Sequence, residues 1–118
     1  MEIRKEDVRR YIPEWDDNRE KSEDEQIVLH IAPMTGGELR AAYRVALTGK
    51  GDTVDKSLDV LERIIKKRVV KLENCVDILD REIENGSDLW DRGPQELVDE
   101  AHSALTEIST LRAGLKND

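Results

Sequence analysis

Residues 53–70 read T-V-D-K-S-L-D-V-L-E-R-I-I-K-K-R-V-V, and we expect the rest of the chain to pack around this stretch. Its aliphatic residues recur at steps of three and four. At about 100° per residue they form one stripe along a helix. The stripe consists of Val54, Leu58, Leu61, Ile64, Ile65 and Val69. Because such a helix is stable only when its stripe is covered, the pattern predicts other segments packed against it.

The composition favours an aliphatic, mainly helical core. Charged residues make up 39% of the 118 residues, aromatic residues only 3%, and phenylalanine is absent. A chain of this length is expected to form one domain, here spanning 1–118. With so few aromatic side chains, the core must be built from Leu, Ile, Val and Ala, which favours helices packed on helices over a β-sandwich.

Local patterns predict a mainly α fold with a minor β element, that is, a small α+β domain. The three main helices are predicted at about 36–47, 53–69 and 94–112. Thr35 and Glu38 have the spacing of a capping box at the start of the first. Alternating residues predict a strand at about 26–32, and a possible edge strand at about 69–75 could pair with it. We also expect a short helix at 6–11, a flexible acidic loop near 16–25, one helical turn at 88–91 and a frayed tail at 115–118.

The charge is distributed unevenly along the chain. Residues 1–71 carry 15 acids and 15 bases, whereas residues 72–118 carry 12 acids and 4 bases and hold the whole net charge of −8. The basic middle and the acidic C-terminal third could dock on each other, or they could complement a partner or a neighbouring copy. Binding to nucleic acid is disfavoured because the net charge repels phosphate.

No arrangement of residues predicts catalysis, a cofactor or a metal site. His30 and His102 lie far apart in sequence, and the single cysteine, Cys75, is expected to be a small buried filler. Two acidic stretches resemble calcium loops only loosely, and no phosphate-binding loop is present. Because no nucleophile–base arrangement stands out, the chain is not expected to be an enzyme. No apolar run approaches the roughly 20 residues of a membrane span, so the chain is expected to be cytoplasmic.

Both ends of the chain carry recognisable short sequence patterns. The N-terminal pattern consists of Y-I-P-E-W at 11–15, N-R at 18–19, E-Q-I-V-L at 25–29, and P-M-T followed by E-L at 33–39. The C-terminal pattern consists of L-V-D-E at 97–100, A-L at 104–105, then Ser109 and Leu111. These are ordinary residues and not a catalytic signature, and together they resemble the tail assembly chaperones of long-tailed, siphovirus-type bacteriophages.

The resemblance implies a non-enzymatic helper that binds the tape-measure protein and recruits tail-tube subunits around it. Such proteins tend to form homo-oligomers, act in the host cytoplasm and are absent from the mature virion. Two alternatives remain open. One is a structural virion component such as a head–tail joining or completion protein. The other is an acidic inhibitor that mimics DNA.

Three N-terminal residues are the candidates for a partner-binding surface: Tyr11, Ile12 and Trp15. A tyrosine and a tryptophan beside a charged loop are plausible anchors for a partner. Equally, they could pin the N-terminal arm to the core of their own chain.

Overall fold

The computed structural model describes residues 8–48 and 53–112, with side chains described for 8–44 and 58–110. The elements in chain order are β1 (Arg9–Tyr11), a 3₁₀ segment (Trp15–Glu20), β2 (Val28–Ile31), α1 (Gly36–Thr48), α2 (Thr53–Arg68), β3 (Val69–Glu73), α3 (Gly86–Arg92) and α4 (Gln95–Arg112). The predicted α+β class is confirmed, and so are all three main helices to within one residue at each end.

The three strands form an antiparallel sheet with β2 in the middle. On β2, Leu29 pairs with Tyr11 of β1 on one side and with Leu72 of β3 on the other. The predicted strand at 26–32 and its predicted edge partner at 69–75 are therefore both confirmed, with shorter bounds. The register between β2 and β3 shifts after His30, which leaves Val70 without a partner residue on β2.

The C-terminal half of α2 lies in the core, as the aliphatic stripe predicts. Ile64, Ile65 and Val69 are buried together with Leu29, and Leu61 is half-buried. The prediction is wrong for Leu58, whose exposed fraction is 49%. The start of α3 packs on the last turns of α2, which lie beyond Leu58 in the chain. The side chain of Val54 lies outside the described residues.

A capping box begins α1, as the spacing of Thr35 and Glu38 predicts. The Glu38 amide donates to the Thr35 hydroxyl at 3.2 Å, and the Thr35 amide donates to Glu38 Oε1 at 2.8 Å. The same carboxylate pairs with buried Arg68 at the end of α2, 2.7 Å from Nη2. Burial alone would raise the pKa of Glu38, but the Thr35 amide and the Arg68 guanidinium outweigh it and hold the pKa below its usual value.

Helix α3 spans two turns where the sequence predicts one, and its start lies directly on α2. The Asn85 side chain caps it by accepting a hydrogen bond from the Asp88 amide at 2.9 Å. Gly86 then packs so closely that a Cβ there would lie 2.1 Å from the Ile65 carbonyl oxygen. Only glycine permits this approach of the two backbones.

The predicted helix at 6–11 is wrong where the structure describes it, because residues 9–11 form β1. Arg9 and Arg10 pair with Ile31 and His30, so the sheet supplies backbone partners that an isolated helical turn would lack. Residues 6–7 and the predicted frayed tail at 115–118 lie outside the described residues.

The acidic segment predicted as a flexible loop contains one fully buried side chain, Asn18. Its Oδ1 accepts a hydrogen bond from the Ile27 amide at 2.7 Å, and its Nδ2 donates to the carbonyls of Pro13 and Ile27 at 2.9 and 3.0 Å. Asp16 and Asp17 adopt left-handed backbone angles, with φ of 54° and 56°, which bend the chain around this residue. The two bonds to Ile27 tie the segment to the residue that precedes β2, and the third ties it to Pro13.

Candidate partner-binding surface

The N-terminal arm, which contains the predicted partner-binding residues, is attached to α4 through Glu100. The Glu100 carboxylate accepts hydrogen bonds from the Tyr11 hydroxyl at 2.6 Å and from the amides of Glu14 and Trp15 at 2.7 and 3.1 Å. The Trp15 indole N–H also donates to Glu96 Oε2 at 3.3 Å. Burial and the bond to Glu100 raise the pKa of Tyr11 to about 12.

Tyr11, Ile12 and Trp15 are each half-buried, and the two aromatic rings pack against the core. Arg19 also contacts this N-terminal segment. Its Nε donates to the Ile12 carbonyl at 2.8 Å, and its guanidinium lies over the Tyr11 ring. These contacts support the interpretation that the three residues pin the arm to its own chain. Their binding to a partner stays a prediction.

A second feature of the surface is an irregular hairpin that continues β3. The chain passes through Asn74, turns at 77–81 and returns alongside itself over 82–84. The Leu72 amide donates to the Glu84 carbonyl at 2.9 Å, and the Ile83 amide donates to the Cys75 carbonyl at 2.8 Å. Val76 and Glu82 form an isolated bridge between the two arms. Cys75 is buried, as predicted for a small filler, and burial raises the pKa of its thiol.

The turn of this hairpin is built around the buried carboxylate of Asp77. Its Oδ1 accepts hydrogen bonds from the amides of Leu79 and Arg81 at 2.8 and 3.0 Å. Its Oδ2 accepts from Arg81 Nε at 2.9 Å and from Arg92 Nη1 at 2.6 Å. Burial alone would raise the pKa of Asp77, but these bonds hold it well below its usual range. The carboxylate thus fixes the turn at any moderate pH.

Three aliphatic side chains in this turn and just before it project into solvent; together they are called the apolar tip. Their exposed fractions are 52% for Val76, 99% for Ile78 and 66% for Leu79. Ile78 and Leu79 lie in the turn that Asp77 holds, and Val76 lies one residue before it. Because these exposed aliphatic side chains are grouped at one end of the hairpin, we treat the apolar tip as the candidate protein-contact surface.

Acidic side chains border the apolar tip. Residues 73–91 contain seven acids and one base. Glu82 and Glu84, called the acidic rim, are exposed, and neither forms an ion pair with any residue that the structure describes. The close approach of the Glu82 carboxylate and the repulsion between the two groups raise the pKa of Glu84.

The remaining chemistry-bearing residues do not converge on a site. His30 on β2 pairs with Glu73 on β3, and that bond lowers the pKa of Glu73. His102 lies on α4, where burial lowers its pKa. Within 8–48 and 53–112, no group of three or more His, Cys, Asp or Glu residues could hold a metal ion. In the same ranges, no helix has the length and apolar character needed to cross a membrane.

Sequence reasoning missed the apolar tip. V-D-I-L-D at 76–80 has no helical or strand periodicity long enough to interpret. The sequence signal for this turn is that Asp77 and Asp80 flank Ile78 and Leu79, because aspartate favours turns.

Comparisons with protein-family models, with curated proteins and with solved structures found no match. What the chain does is therefore inferred from its own surface and from the resemblance at its two ends.

Proposed function

We propose that this protein is a tail assembly chaperone of a long-tailed bacteriophage or prophage. In this role it binds the tape-measure protein in the host cytoplasm and helps recruit tail-tube subunits during tail morphogenesis. It acts by contact with other proteins and not by catalysis, and it leaves before the virion matures. The resemblance at both ends of the chain supplies the identity of the partners, and the apolar tip supplies the contact surface.

The observation that carries the proposal is the exposure of Ile78 and Leu79 on a turn fixed by Asp77. A chaperone for a long apolar helix needs aliphatic side chains that its own fold leaves uncovered. Covering both would contribute roughly 3–6 kcal/mol before the costs of association. Because the turn is held in place already, little conformational entropy is lost when a partner covers it.

The distribution of charge supports the same role. The chain carries a net charge of −8, which keeps it soluble while it presents apolar residues. Part of the basic middle is already used within the chain, since Arg68 pairs with Glu38 and Lys66 pairs with Glu62 and Asp91. The acidic surface around the hairpin stays available to a partner.

The proposal is tested by co-expressing the chain with the tape-measure protein encoded in the same genome and measuring how much of that protein stays soluble and co-purifies. We expect the wild-type chain to retain it, and the Ile78→Gln/Leu79→Gln variant to lose most of it. Leu58→Gln is the control, because Leu58 is an exposed aliphatic residue too, with an exposed fraction of 49%, but lies on α2, away from the hairpin.

Failure of the wild-type chain to retain the tape-measure protein would overturn the proposal. So would stoichiometric amounts of the chain in purified virions, which would select the structural alternative. Equal retention by the tip variant and by wild type would overturn the assignment of the contact surface to the apolar tip.

A further inference from the structure

A groove of about 510 Å³ runs along the hairpin beside the apolar tip. Its lining includes Val76, three glutamates (Glu73, Glu82 and Glu84) and one lysine, Lys71, so acids outnumber bases along it. Val76 and Glu82 are bridge partners, so their side chains lie on the same face of the hairpin, and Glu84 shares that face because it is two residues further along. Aliphatic and carboxylate groups thus line the same open groove.

The charge at this groove is unbalanced within the chain. Two other acids nearby have partners: Asp77 pairs with Arg81 and Arg92, and Asp91 with Lys66. The acidic rim has no ion-pair partner among the described residues, and the charge of Arg92, which is already bonded to Asp77, only partly offsets the repulsion at Glu84. The raised pKa of Glu84 is the cost of holding two carboxylates together, and a cation placed between them would remove that cost.

We propose that the hairpin recognises a partner segment in which a lysine or arginine flanks aliphatic anchors. The anchors pack on Val76, Ile78 and Leu79, and the cationic head lies between Glu82 and Glu84 while its methylene stem follows the groove beside Val76. This inference rests on the proposed function in taking the apolar tip as the contact surface, and it adds the chemistry of the partner. The basic residue selects the partner, and the aliphatic residues supply most of the affinity.

Two synthetic amphipathic peptides of about five helical turns serve as probes, one of leucine and lysine and one of leucine and glutamine. Their binding is measured by fluorescence anisotropy at low salt, about 0.05 M. We expect the lysine peptide to bind about tenfold more tightly than the glutamine peptide. The Glu82→Gln/Glu84→Gln variant should lose that preference, and the preference should shrink at about 0.5 M salt because screening weakens exposed charge pairs.

The Glu20→Gln/Glu107→Gln variant is the matched control, since it removes the same charge from exposed positions on the 3₁₀ segment and on α4. We expect it to bind within about twofold of wild type. The rim variant should fold normally, because it removes a repulsion and no described ion pair.

Equal binding of the two peptides, or equal losses from the rim variant and the control, would overturn the inference. Its failure is distinguishable from failure of the proposed function. If Ile78→Gln/Leu79→Gln loses the tape-measure protein while the rim variant keeps it, the contact surface stands and the basic partner does not. Self-association in sedimentation that disappears in the tip variant would also overturn the inference, because a second copy would then cover the tip.

Discussion

The carboxylate of Asp77 accepts a hydrogen bond from the guanidinium of Arg92, with 2.6 Å between Oδ2 and Nη1. The other terminal nitrogen of Arg92 donates to the Glu82 carbonyl at 2.9 Å. One side chain at the end of α3 therefore holds the turn of the hairpin and its returning arm. α3 is itself fixed on α2 at Gly86, so the apolar tip is connected to the core through a short series of rigid contacts.

Removing the Asp77 carboxylate should loosen the turn without unfolding the domain. We expect Asp77→Ala to be cleaved several-fold faster than wild type by trypsin after Arg81, because local opening of a segment exposes it to proteases. Mass spectrometry of the early fragments identifies the cleaved bond. Ile78→Gln is the control, because its side chain is not bonded to the turn, and its cleavage rate should match wild type. A rate for Asp77→Ala equal to wild type would show that the carboxylate does not hold the turn.

Asn18→Ala should lower the free energy of unfolding by about 2–3 kcal/mol, because it leaves the buried Ile27 amide without its acceptor and two carbonyls without their donor. Urea denaturation measures the change. Asp17→Asn is the control next to it: asparagine tolerates the left-handed backbone, and the exposed position should change stability by less than about 0.5 kcal/mol. Similar effects of the two substitutions would contradict the structural role of Asn18.

Two glycine substitutions should change stability in opposite directions. Gly86→Ala places a Cβ 2.1 Å from the Ile65 carbonyl oxygen, so the start of α3 must move off α2, at a cost of about 3 kcal/mol or more. Gly37→Ala lies in the first turn of α1, where the nearest atom would be 3.9 Å away, and should stabilise by up to about 1 kcal/mol. Thermal denaturation compares the two. A mild effect at Gly86 would contradict the close packing of α3 on α2.

His102 should make the protein less stable as the pH falls. Burial lowers its pKa below the usual 6.5, and its Nε2 has no hydrogen-bond partner among the described residues. Below about pH 6.5 the unfolded chain therefore takes up a proton more readily than the folded chain, so the free energy of unfolding decreases.

Chemical denaturation across about pH 5 to 7 tests this over the range in which an unfolded histidine titrates. His102→Leu should flatten the decrease. An equally steep decrease in His102→Leu would assign the pH dependence to other groups.

The sequence predicts the features whose cause is local. The capping box at Thr35 and Glu38 is a short-range pattern, and the helices follow from periodicity sustained over several turns. Strand β1 could not be predicted in this way, because R-R-Y has no alternation and becomes a strand only when β2 offers it partners. The returning arm of the hairpin has the same difficulty, since Ile83 is flanked by two glutamates.

The candidate site depends on tertiary structure even more strongly. Whether an aliphatic residue is core or surface depends on what covers it, and neither Leu58 nor Ile78 carries that information in its neighbours along the chain. Tyr11 and Trp15 show the converse, since aromatic residues suited to a partner are held instead by Glu100. The resemblance at the two ends indicates what kind of protein this is, but it does not include the hairpin.

The most direct test of the account places a photo-crosslinking amino acid at Ile78 and, in a separate variant, at Leu58, with the tape-measure protein co-expressed in both cases. We expect a crosslink to the tape-measure protein from position 78 and little or none from position 58. A crosslink from position 58 with none from position 78 would contradict the claim that the apolar tip is the surface that holds the partner.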